Sequence, residues 1–471
     1  MISILIPSGI MLAVYWARYF LSERRKGIPL TVPLVFTCLF IPKLNLIGIN
    51  RTYSTAGIRT DDFLTLALLI IALRDSYTYR NKYIKWGLGF LAALSAAGVV
   101  SMMIGRAGGY ENNILFSVLA IARKFEYFAF ALIGIYYARK TQKAEKVVLT
   151  EVTWMSCFHV VIGLLQVLGW CNYAVSGIVS NHDYNGFAVS TFNGHYEYGM
   201  FLCFAIVIYL ICFVQACRKG PAGECFFSVG MILVSFAMIW LTKSRSSLVI
   251  GLFLTVLILL FSIRKTSRLP LKICAFAGAL VFILAGVLFA TGKLDIGRFA
   301  EVDPGKYAES LKDNIQNGSL REYIAYIQSG EPEWKLGVQK NMDVSAALRF
   351  YKWGAALDGF RQSPVFGYGI GVTRVMDGNY VKLLGETGLV GTLLWLAMFV
   401  YFMKSIWTLR KKTAAGRIVF WMMIAVLAAS LFIDMFEASK PMGMLWLGVG
   451  LAIGAASVKP AENNSLSGEE A

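Results

Sequence analysis

The chain has 471 residues, of which 57% are hydrophobic and only 15% charged. Soluble domains carry about 25% charged residues, so a water-soluble globular fold is excluded. The net charge is +17, but Lys and Arg stand in short clusters between apolar runs, not on one basic face. That placement argues against nucleic acid as a partner and for membrane lipids.

In chain order, the apolar runs predict membrane spans at about 2–21, 28–41, 62–74, 86–105, 113–138, 147–168, 197–216, 226–242, 247–263, 271–291, 388–405, 417–434 and 441–457. Several approach the roughly 17–25 residues that cross a hydrocarbon core. The expected fold is all-α, a polytopic transmembrane helical bundle of about 12–13 spans. The first run, Ile2 to Phe20, has no basic residue before it, while Arg18, Arg24, Arg25 and Lys26 lie at its far end. A cleavable signal peptide has the opposite order, so this reads as a first span with its N-terminus outside.

Alternate loops then hold Arg24-Arg25-Lys26, Arg74/Arg80/Lys82/Lys85, Arg139-Lys140/Lys143/Lys146, Arg218-Lys219, Arg264-Lys265/Arg268/Lys272 and Arg410-Lys411-Lys412/Arg417. The loop from Gly169 to Glu197 has no Lys or Arg. The positive-inside rule therefore puts the C-terminus in the cytoplasm of a bacterial-type plasma membrane. Four regions follow: a bundle over 1–291, a long extracytoplasmic loop over 292–388, the last spans over 389–457, and a disordered tail over 458–471. In the long loop Ala346, Phe350, Trp353, Leu357 and Phe360 recur at three- and four-residue steps, which predicts a helix with an apolar stripe. Ser363-Pro364 should end it.

The eight cysteines are scattered and form no C-x-x-C pair, and His159, His182 and His195 lack ligand partners at metal-binding spacings. Neither a disulfide framework, nor a metal, nor a cofactor is expected. Internal repeats of the kind that build many transporters are absent from the sequence.

With this topology the unusual polar segments open on the outer face. Leu241-Thr-Lys-Ser-Arg-Ser-Ser247 places Lys243 and Arg245 between two apolar spans with almost no loop. A charge so near hydrocarbon costs free energy, roughly 2.5–3.5 kcal/mol at the bilayer centre. Arg gives planar, bidentate recognition of phosphate and Lys adds a point charge, so Lys243, Ser244, Arg245 and Ser246 read as an anion site. In Ser190-Thr-Phe-Asn-Gly-His-Tyr-Glu-Tyr-Gly199, Tyr196 and Glu197 suit sugar rings and hydroxyls; an interfacial tyrosine belt is the alternative. The end of the long loop, Ser363-Pro-Val-Phe-Gly-Tyr-Gly-Ile-Gly371, followed by Asp377-Gly-Asn-Tyr380 and Leu384-Gly-Glu-Thr-Gly-Leu-Val-Gly391, supplies turns where backbone approaches a ligand. Arg123, Lys124 and Glu126 form an intramembrane cluster expected to pair or to line a cavity, as do Asp434, Glu437 and Lys440 before the last span.

At these segments the chain resembles the O-antigen ligase and polymerase family of bacterial polysaccharide assembly. The hallmarks are Ser244-Arg245-Ser246 between two spans, Arg349 leading a loop helix, the turn Pro364-Val-Phe-Gly-Tyr-Gly369, and Glu386-Thr-Gly-Leu-Val-Gly391 opening the next span. Family ligases carry His-Asn nine residues before that Glu, where this chain has Asp377-Gly378, so it is closer to the polymerases. The resemblance implies oligosaccharide repeat units on undecaprenyl diphosphate as substrate, with a flippase and a chain-length regulator as pathway partners. The catalytic residues expected are Arg245 and Arg349, which would bind the diphosphate, and Asp377 or Glu386, one of which would be the base. Lys243, Ser244, Ser246, Tyr196, Glu197, Asn379, Tyr380, Gly367 and Gly369 would bind substrate. Ligase-type transfer to another acceptor, or a polysaccharide or lipid transporter, are the alternatives.

Overall fold

The computed structural model describes residues 2–42, 45–51, 54–110, 114–141, 143–171, 186–219, 221–263, 304–329, 335, 344–373 and 376–458. The expected span at 271–291, the basic stretch at 264–272, Glu301, Asp303 and the tail lie outside these residues.

Among the described residues the architecture is all-α apart from one hairpin. Helix α1 is Ile2–Arg18, prolonged by a π turn Tyr19–Glu23 and a 3-10 turn Arg24–Lys26. α2 is Thr31–Phe40, and β1 Asn45–Arg51 pairs antiparallel with β2 Ser54–Arg59. Then come α3 Thr60–Leu73, α4 Ser76–Arg80, α5 Lys82–Ala107, α6 Ile114–Lys140 and α7 Ala144–Val167. α8 is His195–Lys219, α9 Ala222–Leu241 and α10 Arg245–Ile263. The loop helices are α11 Pro304–Asn317, α12 Leu320–Gln328 and α13 Val344–Gln362. The chain closes with α14 Asn379–Leu409, α15 Ala414–Ala429 and α16 Ser439–Ser457. Among the described residues, seven helices are long and apolar enough to cross a membrane, so the chain is a multi-pass membrane protein. α2 and α15 are shorter apolar helices.

α8 is the central helix. From Phe201 to Leu210 no residue is more than 4% exposed, as expected of a helix apolar on all sides. α6 and α16 pack along one another. Their contact is made of small residues: a Cβ on Gly450 would collide with the Ala131 carbonyl oxygen, and one on Gly134 with the Leu447 carbonyl oxygen. Gly450 and Gly454, one turn apart, give the close backbone approach by which helices associate in lipid, where no hydrophobic force drives them together. At the start of the bundle, Glu151 of α7 is buried but satisfied. It accepts hydrogen bonds from Tyr15 (2.6 Å) and from Arg18 (3.0 Å) of α1.

Two expectations need correction. The stretch between the second and third expected spans contains the hairpin; Gly48 and Gly57 face each other across it, and such residues interrupt the alternation that signals strands. In α13 the stripe Phe350–Trp353–Leu357–Phe360 is only half-buried, and the buried face is instead Ala347, Ala355, Ala356 and Gly359. Small side chains win that face because α13 packs closely on α11 and α14. The helix does end at Gln362, before Ser363-Pro364.

A candidate active site at the glycine turn

After Pro364 stops α13, the chain turns back along the opening of α14. Tyr368 N–H donates to Gly385 O (3.0 Å) and Gly369 N–H to Glu386 O (3.3 Å). Leu389 N–H donates to Pro364 O (2.9 Å) and Val390 N–H to Val365 O (3.1 Å). The two glycine motifs are thus one clasp. Gly388 lies in the left-handed region (φ 63°), kinks α14, and a Cβ there would strike Val365. The same holds for Gly367 (φ 76°) against Glu386. The Tyr368 ring is seated against Gly359 and Gly385. Burial, and secondarily the charge of Glu386, holds its phenol pKa well above the usual tyrosine range.

Glu386 sits inside the clasp, 4% exposed. Thr373 donates to its Oε1 at 2.8 Å, and Ser101 of α5 donates to its carbonyl. Asp377 stands differently. Its backbone is left-handed (φ 53°), and its carboxylate pairs with buried Lys352 of α13 at 3.7 Å while remaining 19% exposed. Asp434 fixes this conformation: Oδ2 accepts from Met376 N–H (2.8 Å) and Oδ1 from Gly378 N–H (3.1 Å). Buried Lys382 pairs with Asp434 (3.4 Å) and with Glu437 (2.8 Å). Asn379 and Tyr380, expected to meet substrate, give these atoms to the fold: Asn379 Oδ1 accepts from Phe436 N–H, and Tyr380 Oη donates to Leu427 O.

The Ser-Arg-Ser element is a helix start. Ser244 precedes α10, and its Oγ accepts from Ser247 N–H at 3.3 Å, a capping bond. It also lies 2.8 Å from Ser247 Oγ and 3.4 Å from Ser246 Oγ. Lys243 (φ 56°) and Arg245 are exposed, and Lys243 Nζ stands 4.0 Å over the Phe187 ring. The Ala188 N–H donates to Leu241 O (3.0 Å), joining this element to the segment before α8. That segment is clamped by Gln166, which accepts from Val189 and Ser190 N–H and donates to Ser190 O. His159 and Lys440 add bonds to Ser190 and Thr191. Tyr196 and Glu197 remain half-buried in the first turn of α8.

The turn 434–440 links the two halves. Asp434 and Glu437 hold the Asp377 side, and Lys440 holds Thr191 (2.7 Å to its carbonyl). Sequence reasoning gave this turn little weight and missed Lys352, Lys382, Thr373 and Ser101. Lys382, a charge inside the apolar opening of α14 and one turn before Glu386, was the readable signal. Arg123 pairs with Asp62 (2.6 Å) and Glu126, and donates to Gly57 O of the hairpin. Lys124 interacts electrostatically with Glu386 and Glu437. Asp61, Asp62 and Glu126 bring carboxylate oxygens within 4.8 Å of one another, but the Arg123 guanidinium already bonds two of them.

No curated protein matches the chain. Residues 230–396 match the family model described as O-Antigen ligase, a region that contains Ser244–Ser246, Arg349, the glycine clasp, Asp377 and Glu386. Over residues 230–396 the chain is thus similar to the O-Antigen ligase family.

Proposed function

We propose that the protein polymerises oligosaccharide repeat units carried on undecaprenyl diphosphate, on the outer face of a bacterial plasma membrane. The observation that carries this reading is Asp377 in the place of the ligase histidine. It is partly exposed, held by Asp434 and paired with Lys352. The four regions set out from the sequence, the outer N-terminus and the cytoplasmic C-terminus belong to the same proposal.

The reaction is displacement at an anomeric carbon. The acceptor hydroxyl of an incoming unit loses its proton to Asp377 as its oxygen bonds to the anomeric carbon of the growing glycan. The bond from that carbon to the diphosphate oxygen breaks, and its electron pair leaves on the lipid diphosphate. Arg245 and Arg349, with Lys243, neutralise the charge that develops there; fixed donors aimed at developing charge are the strongest catalytic device available to such a site. Of the two carboxylates, Asp377 is favoured as base because Glu386 is enclosed and engaged by Thr373. Glu386 then acts by holding the clasp.

The test is an Arg245→Ala variant assayed for polymer in cells, with Asp377→Asn assayed for turnover. Loss of polymer with single repeat units accumulating on the carrier or the final acceptor supports polymerisation. Normal polymer that fails to reach its final acceptor identifies a ligase instead. Polymer of normal length and amount removes Arg245 from the mechanism, and full turnover by Asp377→Asn removes the base. Accessibility labelling that finds Arg245 facing the cytosol overturns the orientation.

A further inference from the structure

We infer that Lys124 is a glycan-binding residue, its ammonium donating to hydroxyl groups of the lipid-linked repeat unit in a subsite between α6 and the turn 434–440. The inference rests on the reading of the chain as a glycan transferase and names a contact to the sugar, apart from the diphosphate.

Lys124 stands on the inner face of α6. Two turns before it, Ser117 donates to Ile370 O of the glycine turn (2.8 Å), and one turn after it Tyr127 donates to Glu437 O (3.0 Å). Residues at these spacings share one side of a helix. Val118, Ala122 and Phe125 mark the outward side. Ser117, Tyr127 and Phe128 are buried, but Lys124 between them is only half-buried. Accessible surface in the middle of an inward face belongs to an opening within the protein, not to the lipid.

An ammonium in the middle of an apolar helix is costly and calls for a partner. Its neighbours in the sequence have theirs, since Arg123 pairs with Asp62 and Glu126. Lys124 makes no hydrogen bond and no ion pair with any described residue. Its electrostatic neighbours are Glu386, Glu437 and Lys382, and of these the Glu437 side chain is 56% exposed. The ammonium protons of Lys124 are thus left for what enters the opening.

The charge around the opening selects its occupant. The ammonium groups of Lys124 and Lys382 stand against the carboxyl groups of Glu386, Asp434 and Glu437. That set has no excess of positive charge, so it offers an oxyanion no net attraction. A sugar hydroxyl both donates and accepts. It can accept from Lys124 while it, or its neighbour on the ring, donates to Glu437, and hydrogen bonds to charged groups are the stronger kind.

The experiment measures binding to the purified full-length protein in lipid nanodiscs. One probe is an undecaprenyl-diphosphate-linked repeat unit extracted from cells lacking this chain, and the other is undecaprenyl diphosphate without sugar. Lys124→Met keeps most of the side-chain length and loses the ammonium. It should bind the repeat-unit probe about tenfold more weakly, equal to about 1.4 kcal/mol, with undecaprenyl diphosphate binding unchanged. In the wild-type protein the repeat-unit probe should slow acetylation of Lys124 by an N-hydroxysuccinimide ester, read by peptide mass spectrometry, while undecaprenyl diphosphate should not. This second measurement serves if the Met variant does not fold. Repeat-unit binding within about twofold of wild type, or labelling that the repeat unit leaves unchanged, overturns the inference. Equal loss of both probes assigns Lys124 to the diphosphate and overturns the glycan contact. Wild-type protein that binds the two probes equally overturns the transfer reading itself, and this inference with it.

Discussion

Asp434 grips the backbone on both sides of Asp377, accepting from Met376 N–H at 2.8 Å and from Gly378 N–H at 3.1 Å. A non-glycine residue pays conformational free energy to sit at φ 53°. Two hydrogen bonds to a charged acceptor offset that cost. The Asp377 carboxylate is thereby presented toward Lys352 and not left to the rotational freedom of a loop.

Asp434→Asn should therefore fold but lose function. Asn keeps the size of the side chain and one acceptor oxygen, so one of the two backbone bonds survives, while buried Lys382 loses its charged partner and keeps Glu437. Turnover per folded protein should fall about tenfold or more, and Asp434→Ala should in addition destabilise by about 3–5 kcal/mol, as broken buried pairs do. Transfer assays in membranes, normalised to folded protein by size-exclusion fluorescence, check both numbers.

Arg245 should behave in the opposite way. It is exposed at the start of α10, so Arg245→Ala should change stability by no more than about 0.5 kcal/mol while abolishing polymer. Arg245→Lys should restore only part of the activity, because an ammonium cannot bind phosphate bidentately. A large drop in melting temperature for the Ala variant would mean that the residue serves the fold.

The glycine clasp predicts a contrast between two substitutions to alanine. Gly388→Ala meets both a left-handed backbone and the Val365 main chain, and should sharply reduce the yield of folded protein. Gly89→Ala lies in α5 with nothing within 4 Å of the added Cβ. It should be neutral or stabilising by about 0.5–1 kcal/mol. Thermal unfolding in detergent distinguishes them.

The proposed charge neutralisation by Arg245, Arg349 and Lys243 predicts that turnover does not depend on a divalent cation. Excess chelator in the transfer assay should leave the rate unchanged. A rate that falls with chelator and returns with added Mg²⁺ would show that the guanidinium groups do not suffice.

The helices of the bundle were readable because transfer into lipid is a sum over neighbouring residues, and a window of sequence contains the whole sum. α5 through α10 fall close to the predicted spans for this reason. The β-hairpin was not readable, because paired strands depend on each other and Asn45–Arg51 carries little signal alone. In α13 periodicity gave the helix but the wrong inner face. Its orientation is set by what small residues allow α11 and α14 to approach, which no property of the α13 sequence states.

The amino-acid order by itself determined the membrane class, the positions of Ser244-Arg245-Ser246 and the glycine motifs, and the Asp377-Gly378 departure. It listed the charges but could not pair them. Asp434 reaches Gly378 across 56 residues and Lys440 reaches Thr191 across 249. Such meetings are fixed by helix crossings and bond directions in three dimensions. Only the packed chain therefore decided that a turn before the last span holds both halves of the candidate site together.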